Sequence, residues 1–185
     1  MTAVAESYVA VAAVYGSAVA VEAVKANETA SATLAGATSA VMGKAVAVLA
    51  GLNPDSYSDM AAVAASQTAM TAVAASQTAM TAIAASSTAL SAIAASTTAL
   101  DAIYAKKKRM SGASASLSGK FIILQISNDN AFDTSQYGYA TLSDGSKPNW
   151  DSYKDKYAYF KQYKKIATYM KNDTDSNDWI DYFQC

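Results

Sequence analysis

Aromatic side chains that could bind a ligand are concentrated in the last third of the sequence. They alternate with Asp and Asn residues, which supply hydrogen-bonding groups. Aromatic rings stack on sugar rings while polar neighbours bond the sugar hydroxyls, so this composition is typical of a saccharide-binding surface. We expect Trp150, Tyr157, Phe160 and Trp179 in the core of a small module. The candidate ligand-binding residues lie off the predicted helix stripe or beside a turn: Tyr137, Tyr139, Tyr159 and Tyr163.

Catalytic and metal-binding chemistry has few candidate residues. The sequence contains no His, which removes the commonest general base and the commonest metal ligand. The single cysteine, Cys185, cannot form an intramolecular disulfide or a Cys-based zinc site. The run Asp173–Asn177 matches the opening of a calcium loop, but Asp178 replaces the required Gly and Gln184 the required Glu. We therefore predict a protein that is not an enzyme and has no cofactor or metal site.

Ten-residue repeats precede this aromatic region and must position it. Five near-copies run from Met60 to Arg109: MAAVAASQTA, MTAVAASQTA, MTAIAASSTA, LSAIAASTTA and LDAIYAKKKR. A degenerate version of the same phrase occupies residues 1–50, and residues 51–59 form a break that contains Gly51 and Pro54. A short fixed period indicates units that each contact their neighbours in the same way.

The high Ala content of the repeats favours helices over strands. Ten residues turn an ideal helix by about 1000°, so each unit is rotated by about 80° from the last. The apolar stripe then keeps one direction only if helices wrap tightly around each other or if each unit is broken, for example at Ser66–Thr68. An isolated Ala-rich helix buries little surface, so we predict self-association. A parallel trimer is our first choice, partly because of the resemblance described below. An intramolecular hairpin bent at 51–57 and a β-layered fibre are the alternatives.

The predicted oligomer seam consists of the large apolar residue that opens each unit and the β-branched residue three positions later. These are Met70, Val73, Met80, Ile83, Leu90, Ile93, Leu100 and Ile103.

The composition changes after Tyr104. The basic run Lys106–Arg109 is expected to follow a helix end and stay solvated, and residues 110–119 are predicted to be a Ser/Gly linker. Strands are predicted at Phe121–Ile126 and Tyr137–Leu142, a helix at about 149–171, and a short helix or strand at Trp179–Phe183. The predicted organisation is degenerate repeats at 1–50, a break at 51–59, a repeat shaft at 60–109, the linker at 110–119 and a module at 120–185.

The repeats resemble the decapeptide repeats of bacteriophage tail-fibre and other virion fibre proteins. The resemblance is carried by Ser66–Val73 and Ser86–Ile93, and by the Gly-Lys-hydrophobic opening of Gly119–Leu124; it covers roughly residues 1–127. It implies a structural virion protein, an elongated homotrimer and a distal tip that touches the host surface. The expected fold class is mainly α: an elongated, trimeric, coiled-coil-like fibre followed by a small α+β C-terminal module.

The function that we expect is therefore that of a structural fibre protein whose C-terminal module binds a host receptor or glycan. Its expected location is the virion, after synthesis in the host cytoplasm, and its expected partners are its own copies, other virion proteins and a host-surface glycan. The net charge of −1 gives no general attraction to nucleic acid or membrane, and no segment is typical of a membrane span. An assembly or capping element, or an Ala/Thr-rich ice- or surface-binding protein, is the alternative.

Overall fold

The chain divides into a helical unit, Met1–Ile103, and a second unit, Tyr104–Cys185, whose described elements are almost all β-strands. The structure is a computed structural model. It describes residues 1–127, 138–147, 157–159, 166–172 and 178–184 of the 185-residue chain.

Ten short α-helices follow one another in the described sequence, and seven of them are eight or nine residues long. The first five are α1 (Thr2–Ala5), α2 (Tyr8–Tyr15), α3 (Ala18–Lys25), α4 (Glu28–Ala35) and α5 (Ser39–Leu49). A short 3-10 helix at Pro54–Ser56 separates them from α6 (Met60–Ala65), α7 (Gln67–Ala75), α8 (Gln77–Ala85), α9 (Ser87–Ala95) and α10 (Thr97–Tyr104). Each helix corresponds to about one sequence repeat, and the 3-10 helix lies within the predicted break at 51–59.

A single serine forms each joint between the later helices. Ser66 ends α6 and begins α7 with extended dihedral angles, φ −92° and ψ 115°, and its Oγ accepts a hydrogen bond from the amide of Ala69. Ser76 and Ser86 repeat this arrangement, and the axes of α8 and α9 bend by 105°. The serine oxygen satisfies an amide that has no partner within its helix, while the extended backbone redirects the chain.

The bends bring helices that are three apart in the sequence into contact. Such contacts join α1 with α4, α2 with α5, α5 with α8, and α6 with α9. Two joint serines also bond across to an earlier segment: Ser76 Oγ donates to the carbonyl oxygen of Leu49 at 2.7 Å, and Ser96 Oγ donates to that of Ala64 at 2.6 Å. The chain therefore turns back on itself after about three helices.

The fold-class prediction of long helices wound into an elongated trimeric coiled coil is wrong. The structure instead has short helices that pack on one another within one chain, followed by an antiparallel sheet. The break that we considered at the recurrent Ser and Thr residues resolves the 80° mismatch, because each unit starts a new helix with a new axis. The apolar residues of successive units then face the interior of the same chain.

Helices α5 and α6 approach closely at Gly43. A Cβ atom placed on Gly43 would lie 2.2 Å from the carbonyl carbon of Asp59 and 2.6 Å from the amide nitrogen of Met60. Ser39 Oγ also accepts a hydrogen bond from the amide of Met60 at 3.3 Å. The absence of a side chain at Gly43 thus allows the two backbones to come together.

The second unit contains six described strands in one antiparallel sheet. They are β1 (Lys108–Ser111), β2 (Ser116–Ser127), β3 (Tyr139–Leu142), β4 (Tyr157–Tyr159), β5 (Ile166–Lys171) and β6 (Trp179–Gln184). The order is β1-β6-β2-β5-β3, and β4 also pairs with β2. The strand predictions at Phe121–Ile126 and, over residues 139–142, at Tyr137–Leu142 are confirmed, and Trp179–Phe183 is a strand.

One face of this sheet carries a hydrophobic core. The core extends from Met110 on β1 to Leu142 on β3. Within it, the rings of Phe121 and Tyr182 pack edge to face, with centroids 5.4 Å apart. The other buried residues of this cluster are Ile123, Ile126, Ala140, Ala167, Met170 and Ile180.

Two predictions about this region are wrong. Residues 110–119 are not a linker, because they include the end of β1 and the beginning of β2. A continuous helix over about 149–171 is excluded because β4 and β5 lie within that range. Pairing with the apolar strand β2 provides the backbone hydrogen bonds that the helix would have formed internally.

Within the described residues, no single helix has both the length and the apolar character needed to cross a membrane. Three bent helix pairs reach that length and composition only when their two helices are taken together: α2 with α3, α4 with α5, and α8 with α9.

Candidate functional site

Two tyrosine rings form a pair on the outward side of the strands β3 and β5. Tyr139 lies opposite Lys171, and Thr141 lies opposite Tyr169, so all four residues share one side of the sheet. The ring centroids of Tyr139 and Tyr169 are 5.3 Å apart, with 34° between the ring planes. The residues between them, Ala140 and Met170, are buried in the core on the opposite side.

A tight turn after β3 brings a cation to this pair. The amide of Leu142 donates to the carbonyl oxygen of Ser146 at 2.8 Å, and Gly145 adopts a φ of +80° that favours glycine. The ammonium of Lys147 consequently lies 4.3 Å from the centroid of the Tyr139 ring. We call Tyr139, Thr141, Tyr169 and Lys171, together with Lys147, the tyrosine surface.

The tyrosine surface combines apolar rings with hydrogen-bonding and charged groups. Both rings are half-buried, so each keeps solvent-accessible area for stacking. Burial and the neighbouring Tyr169 hydroxyl raise the pKa of Tyr139 above its ordinary value. The Tyr139 hydroxyl therefore remains protonated at neutral pH and can donate a hydrogen bond. These groups can stack on a planar or ring-shaped ligand and bond its hydroxyls.

A second cluster lies at the opposite edge of the sheet, on β1 and β6. Arg109 donates to both carboxylate oxygens of Asp181, at 2.6 and 2.8 Å, and its guanidinium lies 3.6 Å from the centroid of the Trp179 ring. The Asp181 side chain is fully buried. Hydrogen bonding to Asp181 raises the pKa of Arg109 further above its ordinary value. Because the bidentate pair and the stacked ring occupy the guanidinium, we interpret this cluster as a clamp between the two strands.

The basic run Lys106–Arg109 is thus only partly as expected. All four residues are exposed, but Lys108 and Arg109 belong to β1 and do not simply follow a helix end. Lys108 Nζ donates to Gln184 Oε1 at 2.6 Å, and the ammonium of Lys107 lies 4.1 Å from the centroid of the Tyr104 ring.

The four candidate ligand-binding residues differ in what the structure describes of them. Tyr139 lies on the tyrosine surface, whereas Tyr159 lies in β4 opposite Gln125, with only its backbone described. Tyr137 and Tyr163 lie outside the described residues, as do the polar connection 173–177, Cys185, Trp150 and Phe160. Trp179, expected in the core, is half-buried.

Tyr139 is the one member of the tyrosine surface among the predicted ligand-binding residues. The other four members were not predicted: Thr141, Lys147, Tyr169 and Lys171. Tyr169 lies within the predicted helix. However, the segment Ile166–Lys171 contains the β-branched residues Ile166 and Thr168 and the aromatic Tyr169, which favour a strand. The Asp144–Gly145 turn signal was noted, but the fold of that turn is what brings Lys147 to the ring.

The eight residues of the predicted oligomer seam are buried within the single chain. Met80 is the most exposed of them, at 9%, and the others are at most 1% exposed: Met70, Val73, Ile83, Leu90, Ile93, Leu100 and Ile103. Burial of these side chains is therefore achieved without a second copy, and the coiled-coil basis for the seam is lost.

An ice-binding surface would need the repeat threonines Thr68, Thr78 and Thr88 on one flat face, but these residues lie on three separate helices. Thr78 is on α8 and Thr88 is on α9, whose axes differ by 105°. Such a bend does not place their hydroxyls on one flat face, which disfavours that alternative.

The described residues contain no cluster of three or more His, Cys, Asp or Glu side chains that could hold a metal ion. No model of a protein family matches this chain, and no curated protein matches it either. The resemblance to virion fibre proteins consequently rests on the sequence alone, in the repeats and in Gly119–Leu124.

Proposed function

We propose that this chain is a structural surface protein whose β-strand unit binds a saccharide through the tyrosine surface. The observation that supports the proposal most directly is the pairing of the half-buried Tyr139 and Tyr169 rings, 5.3 Å apart, on the outward side of a strand at the edge of the described sheet. Two adjacent aromatic rings provide a stacking platform about the size of one sugar ring, and the rigid strands hold that platform in place.

The core-facing sides of β3 and β5 hold the tyrosine surface in place. Ala140 and Met170 anchor the two strands in the core, so the tyrosines are held by a buried layer beneath them. A binding group on paired strands loses little conformational freedom when a ligand binds, which favours affinity. The helical unit presents mainly Ala, Ser, Thr and Gln to solvent, and these residues offer no comparable stacking surface.

We further propose that the protein is part of a bacteriophage virion and is made in the host cytoplasm. This proposal rests on the resemblance of Ser66–Val73 and Ser86–Ile93 to virion fibre repeats. The saccharide would then belong to the host surface, and the helical repeats would serve as a rigid scaffold. The proposal includes no coiled-coil seam, because the residues assigned to it are buried within one chain.

The test is the binding of the purified full-length chain to an immobilised library of bacterial-surface oligosaccharides. Truncation of a central interface tyrosine typically costs about 2 kcal/mol, so Tyr139→Ala or Tyr169→Ala should weaken binding about tenfold or more. Tyr57→Ala removes a half-buried tyrosine from the helical unit and serves as the matched control. Circular dichroism and thermal unfolding of each variant separate loss of binding from loss of folding.

The proposal fails if the full chain binds no oligosaccharide in the library. It also fails if Tyr57→Ala weakens binding as much as the two variants of the tyrosine surface. A Tyr169→Phe variant refines the result, since retained affinity would assign the contribution to ring stacking and lost affinity would assign it to the hydroxyl.

A further inference from the structure

We infer that the tyrosine surface selects a negatively charged saccharide, one that carries a carboxylate, sulfate or phosphate group. The inference rests on the proposed function, since it specifies the ligand of the same surface. It is carried by the charge of the groups around the two rings.

The described residues of the tyrosine surface carry positive charge only. Lys147 and Lys171 are its charged members, and no described residue forms an ion pair with Lys147. The acidic residue nearest to Lys147 along the chain is Asp144, whose carboxylate accepts hydrogen bonds from the amide and the hydroxyl of Ser146 within the turn. The acid thus stabilises the turn that positions the cation.

The structure places the Lys147 ammonium beside the rings before any ligand binds. The turn from Leu142 to Ser146 is closed by two backbone hydrogen bonds, of 2.8 and 2.9 Å, and Lys147 follows it directly. The ammonium lies 4.3 Å from the centroid of the Tyr139 ring. At an exposed site such a contact is weak, so an anionic ligand can draw the ammonium away from the ring at low cost.

Lys171 adds a second cation beside the same ring. It lies directly opposite Tyr139 in the antiparallel register of β3 and β5, and directly opposed residues have side chains on one side of the sheet. A saccharide stacked on the tyrosines therefore lies on the side of the sheet that carries Lys171 and has the Lys147 ammonium within reach. A neutral sugar gains stacking and hydroxyl bonds there, whereas an anionic sugar also gains charge-assisted hydrogen bonds, which are about twice as strong as neutral ones.

The experiment compares matched probes that differ only in charge. The full-length chain is titrated with tetragalacturonic acid and its methyl ester, and with sialyllactose and its methyl ester, at low and at high salt. We expect at least one acid to bind about tenfold more tightly than its ester, and we expect this preference to shrink at high salt.

Variants assign that preference to a residue. Lys147→Gln should remove most of the acid preference, because it should lower the affinity for the acid far more than the affinity for the ester. Lys120→Gln changes the net charge equally, at an exposed position in β2, and should leave the preference intact. Tyr169→Ala should weaken binding of the acid and the ester alike, because stacking does not depend on the charge of the sugar.

Each remaining outcome overturns the inference in a different way. Equal affinity for acid and ester would exclude charge selection while leaving the proposed saccharide binding in place. Equal losses in Lys147→Gln and Lys120→Gln would show attraction by overall charge, without a site at Lys147. Absence of binding by these probes and by every member of the oligosaccharide library would overturn the proposed function, and the inference with it.

Discussion

Replacement of Gly43 by Ala tests the packing of the helical unit at its closest point. Gly43 lies within α5, where Ala is intrinsically preferred to Gly by about 1 kcal/mol. An isolated helix would therefore gain stability from the substitution. In the folded chain, the new Cβ would lie 2.2 Å from the carbonyl carbon of Asp59, which is 1.2 Å less than the 3.4 Å at which ordinary contact begins.

The atoms that Cβ would meet are backbone atoms of Asp59 and Met60, so no side-chain rotation can relieve the overlap. The start of α6 must move instead, which also disturbs the bond from the Met60 amide to Ser39 Oγ. Overpacking of this kind costs about 1–3 kcal/mol, and the backbone shift puts Gly43→Ala at the upper end. After the gain in helix propensity, we expect a net loss of about 2 kcal/mol.

Thermal unfolding followed by circular dichroism at 222 nm measures this loss. A destabilisation of about 2 kcal/mol lowers the Tm of a unit of this size by roughly 8–15 °C. Gly36→Ala is the matched control: a Cβ on Gly36 would meet the Thr33 carbonyl oxygen at 3.4 Å, an ordinary contact, so this variant should keep or slightly raise the Tm. A Gly43→Ala variant as stable as the parent chain would refute the close approach of α5 and α6.

Three further substitutions test other contacts. Ser96→Ala removes a helix cap and the hydrogen bond from the serine hydroxyl to a carbonyl oxygen of an earlier helix. It should lower the free energy of unfolding, measured in urea, by about 1–3 kcal/mol. The control Ser91→Ala, at an exposed position within α9, should leave this free energy unchanged. Burial raises the pKa of Tyr15 from 10.0 to about 12. Between these pH values the folded chain keeps a proton that the unfolded chain has released. The free energy of unfolding should therefore fall as the pH rises from 10 to 12. Tyr15→Phe should lose about 2–3 kcal/mol less over that range, and equal losses in the two proteins would contradict this assignment. Arg109→Leu should destabilise the strand unit by about 3 kcal/mol, because it leaves the buried Asp181 carboxylate without its bidentate partner, and a second change, Asp181→Leu, should restore most of the loss. Tryptophan fluorescence during urea unfolding checks this pair, and a double variant no more stable than Arg109→Leu would argue against it.

The helices of the repeats were predictable because Ala content and a fixed period both act locally. The joints were predictable in part: a serine with a helix former on each side is a strong helix start, and Ser66–Thr68 was identified as a place where a unit could break. The surface against which the apolar stripe packs was not predictable. Val73 must be buried in either arrangement, and its spacing from Met70 does not distinguish burial against another chain from burial against an earlier helix of the same chain.

The strand unit shows where periodicity misleads. Aromatic residues at Tyr153, Tyr157 and Phe160 happen to follow helical spacing, which led to a predicted helix that continued through β5. The segment Ile166–Lys171 instead pairs with β2 and β3, and only that long-range pairing decides its structure. The same pairing brings Tyr169 to Tyr139, so one ring of the tyrosine pair was a candidate from the sequence, whereas its partner ring could be identified only from the register of the sheet.

Serine joints also affect how the repeat array can change its copy number. The units at 60–69 and 70–79 differ at one position, Ala61 against Thr71, and such near-identity favours unequal recombination between gene copies. The bends between α2 and α3, α4 and α5, and α8 and α9 are 97°, 97° and 105°. Because contacts recur between helices that are three apart, gain or loss of one unit would place each later helix against the wrong partner. Changes in steps of three units would preserve the contacts, so related arrays should differ in length by about thirty residues.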